Sequence, residues 1–208
     1  MQTDTARPIA APPPRSVLLD LERWGGAATD GEREILRDVE GPVLDVGCGP
    51  GRLVEALRLQ HVTVLGIDAA PTAIARARAR GRRIVQRSVF DRLPREGTWA
   101  SVLLFDGNIG IGADPNRLLG RIRSLMRPDG CVLVELEPPG APVEFGHVEF
   151  EVATGMVGTF PWCWVGCDEI GTIAAGSGLR VDDCHPVDGR WFARLRIATD
   201  EHDLKFRR

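Results

Sequence analysis

The segment Leu44-Asp45-Val46-Gly47-Cys48-Gly49-Pro50-Gly51-Arg52-Leu53 constrains this chain more than any other. It joins a short apolar run, read as a buried strand, to a helical pattern over residues 52–59. A glycine-rich turn between strand and helix lets the backbone turn tightly and approach a ligand, next to the free amides of a helix N-terminus. The alternation then repeats. Apolar runs at 62–67, 84–85, 101–105 and 131–135 read as strands. Residues 71–80 and 115–126 read as helices, the first opened by Pro71, the second carrying Leu118, Leu119, Ile122 and Leu125 at helical spacing. Strands alternating with helices predict a parallel sheet with right-handed crossovers. Arg127-Pro128-Asp129-Gly130 reads as a turn. After Pro138-Pro139-Gly140 the pattern changes: 143–157 alternates like an antiparallel strand, 168–177 is helical, and 180–182 with 191–197 reads as a closing hairpin.

The glycine spacing is G-x-G-x-G. The dinucleotide fingerprint G-x-G-x-x-G would need glycine at position 52, which is Arg52. Asp45, two residues before the first glycine, would repel a pyrophosphate and suits a cationic group such as the α-ammonium of an amino acid. Asp68, at the end of the second strand, is placed to accept both hydroxyls of a ribose; the lesser alternative is a plain helix N-cap.

These residues, with Gly66-Ile67-Asp68 and Leu125-Met126-Arg127-Pro128-Asp129-Gly130, resemble the class I S-adenosylmethionine-dependent methyltransferases. The resemblance covers roughly residues 41–198. It implies an α/β, Rossmann-like three-layer sandwich: a seven-stranded, mostly parallel sheet in the order 3-2-1-4-5-7-6, with a C-terminal antiparallel hairpin. It also implies that Gly47, Cys48, Gly49 and Gly51 wrap the methionine and ribose of S-adenosylmethionine. Asp45 would support the loop or the ammonium, and Asp68, with Ala69 beside it, would hold the ribose. Ser88 stands where the family usually has an acidic residue on adenine, so the Val89 backbone and the Phe90 ring are expected to share that contact. Asp106, Gly107 and Asn108 would face the methionine end, although Asp, Gly and Asn are also turn formers. Arg23-Trp24, Phe160-Pro161-Trp162 and Gly189-Arg190-Trp191-Phe192 extend the similarity to compact small-molecule methyltransferases of actinobacterial type. The implied product is S-adenosylhomocysteine.

An acceptor attacking through oxygen or nitrogen can need a base within hydrogen-bond reach. His147 and Glu137, after the fifth strand, are the catalytic candidates, each also readable as an ordinary polar residue; Glu135 lies nearer the sheet. Trp24, Trp162, Trp164 and Trp191 fit an aromatic acceptor pocket or core packing equally well. Cys163-x-x-x-Cys167 with Cys184-His185 matches no common zinc spacing, and no metal is expected. The arginines from Arg76 to Arg83 alternate around a helix, as a solvated surface does.

The chain has 208 residues, enough for one domain with its own core. The reading is a disordered arm over 1–15, a helical cap over 16–40, the cofactor-binding domain over 41–198 and a charged tail over 199–208. A net charge of -3 lacks the footprint expected for nucleic acid. No membrane segment and no signal peptide are evident, and five irregularly spaced cysteines fit a reducing compartment, so a cytoplasmic monomer or homodimer is expected. A tyrosine base is impossible, since the chain has no Tyr. The function expected is methyl transfer to a small molecule, possible for a secondary metabolite. The alternatives are a non-catalytic S-adenosylmethionine-binding module or partner subunit, a nicotinamide-dependent oxidoreductase, which the glycine spacing disfavours, and non-methylating S-adenosylmethionine chemistry.

Overall fold

The computed structural model describes residues 15–18, 23–82, 84–151 and 157–198. The expected tail, and the expected arm apart from Arg15, lie outside them. The elements in order are β1 (Arg15–Leu18), α1 (Asp30–Leu36), β2 (Val43–Val46), α2 (Arg52–Leu59), β3 (Val64–Asp68), α3 (Pro71–Ala79), β4 (Ile84–Gln86), β5 (Trp99–Leu104), α4 (Pro115–Leu125), β6 (Met126–Leu136), β7 (Glu144–Glu151), β8 (Val157–Trp164), α5 (Ile170–Gly176), β9 (Leu179–Val187) and β10 (Arg190–Ile197). Short 3-10 turns occupy Arg23–Gly25 and Asn108–Ala113.

The main sheet runs β4-β3-β2-β5-β6-β10-β9. β2 to β6 pair in parallel, and β10 is antiparallel to both β6 and β9. Counted along the sheet's own strands, this is the order 3-2-1-4-5-7-6. The two faces follow from alternation along each strand. Leu44, Val46, Val102, Leu104, Val132 and Val134 face α4 and α5 through Leu118, Leu119, Ile122, Leu125, Ile170 and Ile173. Val43, Leu103, Phe105, Leu133 and Phe192 face α1 and α2 through Leu36, Leu53 and Leu57. Both faces are covered, so the central strands read as continuous apolar runs. Asp114 caps α4 by accepting from the Arg117 amide at 2.9 Å. No described helix is long and apolar enough to cross a membrane.

Three sequence expectations differ from the structure. The cap over 16–40 is not helical throughout: Arg15–Leu18 is a strand lying parallel to β7. Its short apolar run has no intrinsic period long enough to distinguish helix from strand, and the free edge of β7 decides. Arg127–Gly130 is no separate turn but part of β6, bulged where Trp99 pairs with Met126 and Ser101 pairs with Cys131. The third concerns β8, which sequence reading missed. It pairs with β7 alone, so a proline at position 161 is tolerated on an edge strand. β1, β7 and β8 form a second, three-stranded sheet over the 108–113 turn. A Cβ on Gly110 would collide with Trp162 and the Cys163 carbonyl, so glycine permits that close seat.

Candidate active site

The sheet order reverses between β2 and β5, and ligands of open α/β sheets bind at the C-terminal strand ends where such a reversal occurs. A cavity of about 440 Å³ opens there. Its floor is the glycine loop. Gly47 (φ 67°), Gly49 (φ 54°) and Gly51 (φ 84°) all take left-handed backbone. The amides of Gly47 and Cys48 donate to the Ile67 carbonyl at 2.9 and 3.1 Å, tying the loop to β3. A Cβ on Gly51 would meet Ile84 Cδ1 at 2.6 Å. Gly51→Ala therefore combines left-handed strain with a contact that the Ile84 side chain must shift to relieve, and a loss of about 2 kcal/mol, or roughly 4–8 °C in Tm, is expected in a thermal melt.

Asp68 ends β3. Its Oδ2 accepts from the Gly49 amide and its Oδ1 from the Ala70 amide, each at 2.8 Å. Burial raises its pKa, and those two amides oppose the rise. Beyond β4, Ser88, Val89 and Phe90 line the next part of the wall. Phe90 carries the Arg117 guanidinium 4.3 Å from its ring centroid, and the Val89 carbonyl accepts from Arg121 Nε at 3.0 Å. On the β5 side Asp106 and Asn108 line the cavity. Asn108 Nδ2 donates to the carbonyls of Val46 and Gly47 at 2.9 and 3.0 Å. This clamps the β5 loop onto the glycine loop.

Ten of the thirteen cofactor candidates thus border one cavity: Gly47, Cys48, Gly49, Asp68, Ala69, Ser88, Val89, Phe90, Asp106 and Asn108. Asp45, Gly51 and Gly107 lie off its wall. Gly51 shapes the start of α2, and Gly107 (φ 74°) shapes the turn after β5. Asp45 is buried beneath the loop, 2% exposed, and its Oδ2 has no hydrogen-bond partner among the described residues. Burial pushes its carboxyl up to about 7; the Arg52 charge opposes this, and Asp106, Asp68 and Glu32 add to it.

The catalytic candidates lie elsewhere. His147 is exposed on β7 and absent from the cavity wall; its neighbour Val148 is the residue that lines the wall, as alternation along a strand dictates. The Glu137 carboxylate is also off the wall and receives Arg15 Nη2 at 3.4 Å. Among the tryptophans, Trp24 and Trp162 line the cavity, while Trp164 lies under Arg15, 4.3 Å from its guanidinium carbon. The five cysteines are free. No described cluster of His, Cys, Asp and Glu side chains could hold a metal ion.

Sequence reading missed a charge network under the β2–β5 end of the cavity. Arg52 Nη2 donates to Glu32 Oε1 at 2.6 Å and to Asp106 Oδ2 at 2.7 Å. Arg190 Nη1 reaches Glu32 Oε1 at 2.7 Å, and its Nε and Nη2 grip Glu135 at 2.8 and 2.5 Å. The Asp106 amide also donates to Glu135 Oε2. Burial opposes ionisation of Glu32, but the hydrogen bonds from Arg52 and Arg190 overcome it and hold the carboxyl near 2. Glu32 Oε2 also accepts from the Thr29 amide at 3.0 Å, completing the capping box of α1. A third arginine, Arg82, binds the carbonyls of Gly25, Gly26 and Pro50 at 3.4, 3.3 and 3.0 Å, which keeps the segment carrying Trp24 against the glycine loop. The partners of Arg52 and Arg190 lie 20 to 158 residues away, so no local pattern announces them.

The family model of a methyltransferase domain matches residues 43–130, from β2 through the bulge of β6. Over that segment the chain is similar to methyltransferase domains. The chain shares its fold with an S-adenosylmethionine-dependent methyltransferase from Bacteroides fragilis in complex with S-adenosyl-L-homocysteine (TM-score 0.68, 21% identity, covering 87% of this chain and 83% of that one). It likewise resembles the glycopeptide N-methyltransferase MtfA complexed with S-adenosylmethionine (TM-score 0.66, 18% identity, 88% and 93% covered). A third likeness is to Burkholderia thailandensis 1,6-didemethyltoxoflavin-N1-methyltransferase with bound 1,6-didemethyltoxoflavin and S-adenosylhomocysteine (TM-score 0.56, 19% identity, 76% and 71% covered). At these identities the likeness is one of fold. No curated protein matches the sequence of this chain.

The two buried carboxyls of the site act oppositely on stability. Asp45 titrates at about 7 in the fold against 3.8 when unfolded, so the folded chain holds the proton more tightly, and the stabilisation present at low pH is lost as pH rises from about 4 through 7. Glu32 titrates at about 2 against 4.5, so its contribution is present above pH 4.5 and lost as pH falls toward 2. Asp45→Asn keeps the shape and removes the ionisation. Melts over a pH series are expected to show wild type and variant alike at about pH 3 and the variant several degrees more stable at about pH 8, the Asp45 shift being worth roughly 4 kcal/mol. Parallel Tm profiles would contradict this.

Proposed function

We propose that this chain moves the methyl group of S-adenosylmethionine to a small, largely apolar acceptor of natural-product type. The observation carrying the reading is the cavity at the sheet reversal that gathers the Gly47–Gly49 loop, Asp68, Ser88–Phe90, Asp106 and Asn108. The residues present fit the cofactor. Asp68 would take the ribose hydroxyls beside the glycine loop. Phe90, between Arg117 and the cavity, offers a ring for adenine. Asp106 and Asn108 would face the amino-acid end across the sheet reversal. Val148, Phe160, Pro161 and Trp162 of the second sheet, with Ile111 of the 108–113 turn, give the opposite wall an apolar surface for the acceptor.

The sulfonium is an activated donor. The acceptor's lone pair forms the new bond to the methyl carbon as the sulfur–methyl bond breaks, its electron pair passes to sulfur, and any acceptor proton leaves to water. The chain's task is alignment, and holding acceptor, methyl and sulfur in line supplies about 7–11 kcal/mol at best. Solved structures sharing the fold include methyltransferases for a glycopeptide and for 1,6-didemethyltoxoflavin, which supports an acceptor of this size class.

Calorimetric titration with S-adenosylmethionine, S-adenosylhomocysteine and NADH tests the cofactor. Binding of both adenosyl compounds and not NADH is expected. Folded protein that binds neither overturns the reading. Formation of S-adenosylhomocysteine with a panel of phenols, amines and carboxylates then separates an enzyme from a binding module.

A further inference from the structure

Three carboxylates and two guanidiniums meet beside the cavity, with a formal sum of one negative charge: Glu32, Asp106 and Glu135 against Arg52 and Arg190. Asp106 is the member that lines the cavity as an acid, with its side chain 20% exposed. Its backbone is left-handed (φ 56°), unusual for a residue with a side chain, so neighbours must hold it there. Arg190 is the residue that links those neighbours. Its Nη2 touches Asp106 Oδ1 at 3.3 Å, its Nε and Nη2 grip Glu135, and Glu135 in turn accepts the Asp106 amide. The carboxylate is thus held by Arg52 and Arg190, and the backbone beneath it by Glu135.

We propose that Arg190 is a positioning residue of the cofactor site: it holds the Asp106 carboxylate toward the amino-acid end of the bound cofactor, where that carboxylate receives the α-ammonium. This rests on the reading of the cavity as an S-adenosylmethionine site. Arg190 itself is not on the cavity wall and acts through Asp106 and Glu135. Without it, two adjacent carboxylates repel each other and the amide of Asp106 loses its fixed acceptor. The excess negative charge selects a cation; burial raises the Asp106 pKa, and the two guanidiniums oppose that rise and hold the carboxyl in place.

The test compares two ligands differing at the amino-acid end. S-adenosylhomocysteine carries the α-ammonium; methylthioadenosine keeps the adenosine and thioether but lacks the amino acid. Both are titrated calorimetrically into wild type, Arg190→Gln and Arg190→Lys. In Arg190→Gln the preference for S-adenosylhomocysteine is expected to fall by about tenfold, the scale of one charge-assisted hydrogen bond, with methylthioadenosine binding within about threefold of wild type. Arg190→Lys is expected to recover part of the preference. If Arg190→Gln does not fold, Glu135→Gln, which keeps Arg190 and the shape, is expected to lower the same preference by a smaller factor. An unchanged or increased preference in the folded variant overturns the proposal, since a merely structural role would weaken both ligands together. Wild type that binds neither ligand overturns the cofactor reading, and this inference with it.

Discussion

Replacing Asp68 by alanine lowers the affinity for S-adenosylmethionine by about 100-fold or more, the scale of losing two hydrogen bonds to a charged group. The Asp68 carboxylate joins three parts of the site. It accepts from the Gly49 amide in the glycine loop and from the Ala70 amide at the start of α3, and it lies on the cavity wall where a ribose would sit. Alanine removes the acceptors for the ribose and also releases the loop that must wrap the methionine. Asp68→Asn keeps one oxygen acceptor and should lose less. Titration calorimetry reads the effect, with a melt run in parallel to show that the protein is folded. Affinity unchanged in folded Asp68→Ala would remove Asp68 from the cofactor site.

The second large effect is on stability. Arg52→Ala is expected to cost about 3–5 kcal/mol, because it breaks a buried ion pair by removing one partner. The side chain of Arg52 is 7% exposed and that of Glu32 1%, so the carboxylate left behind has little water to turn to. Arg190 still reaches Glu32, which keeps the loss from being larger. At roughly 2–4 °C per kcal/mol for a chain of this size, Tm falls by about 6–20 °C. A double-mutant cycle with Glu32→Gln separates the pair from the packing. The double variant should be more stable than the sum of the single losses predicts, since neither charge is then stranded. An Arg52→Ala melt within about 1 kcal/mol of wild type would show that the network contributes little.

Most of the residues that border the cavity at the sheet reversal were legible in the sequence because their chemistry is local. Left-handed turns need Gly47, Gly49 and Gly51 at their own positions, and a carboxylate at a strand end points into whatever lies beyond that end. The seven-stranded order also agreed with the family resemblance. The acceptor side was less legible. β8 carries a proline and two tryptophans in a pattern that reads as neither strand nor helix, and it becomes a strand only because β7 offers an edge. β1 is a four-residue run whose helical or extended state its own residues leave open. His147 and Glu137 have the right functional groups, but which way His147 faces on β7 depends on register, since a slip of one residue exchanges the two faces, and Glu137, just after β6, is engaged by the distant Arg15.

The division follows from range. Hydrophobic period, glycine placement and capping residues act over a few positions, so they specify the alternating strands and helices, the glycine loop and the carboxylate at the end of β3. What the tertiary structure alone decided is which distant charges meet. Arg52 joins Asp106 across 54 positions, and Arg190 joins Glu32 across 158. Each arginine looks like a surface residue when read alone, in a chain rich in arginine. Only the packing of α1, α2, β6 and β10 around the end of β5 takes them out of water, and burial is what converts ordinary ion pairs into the frame of the site.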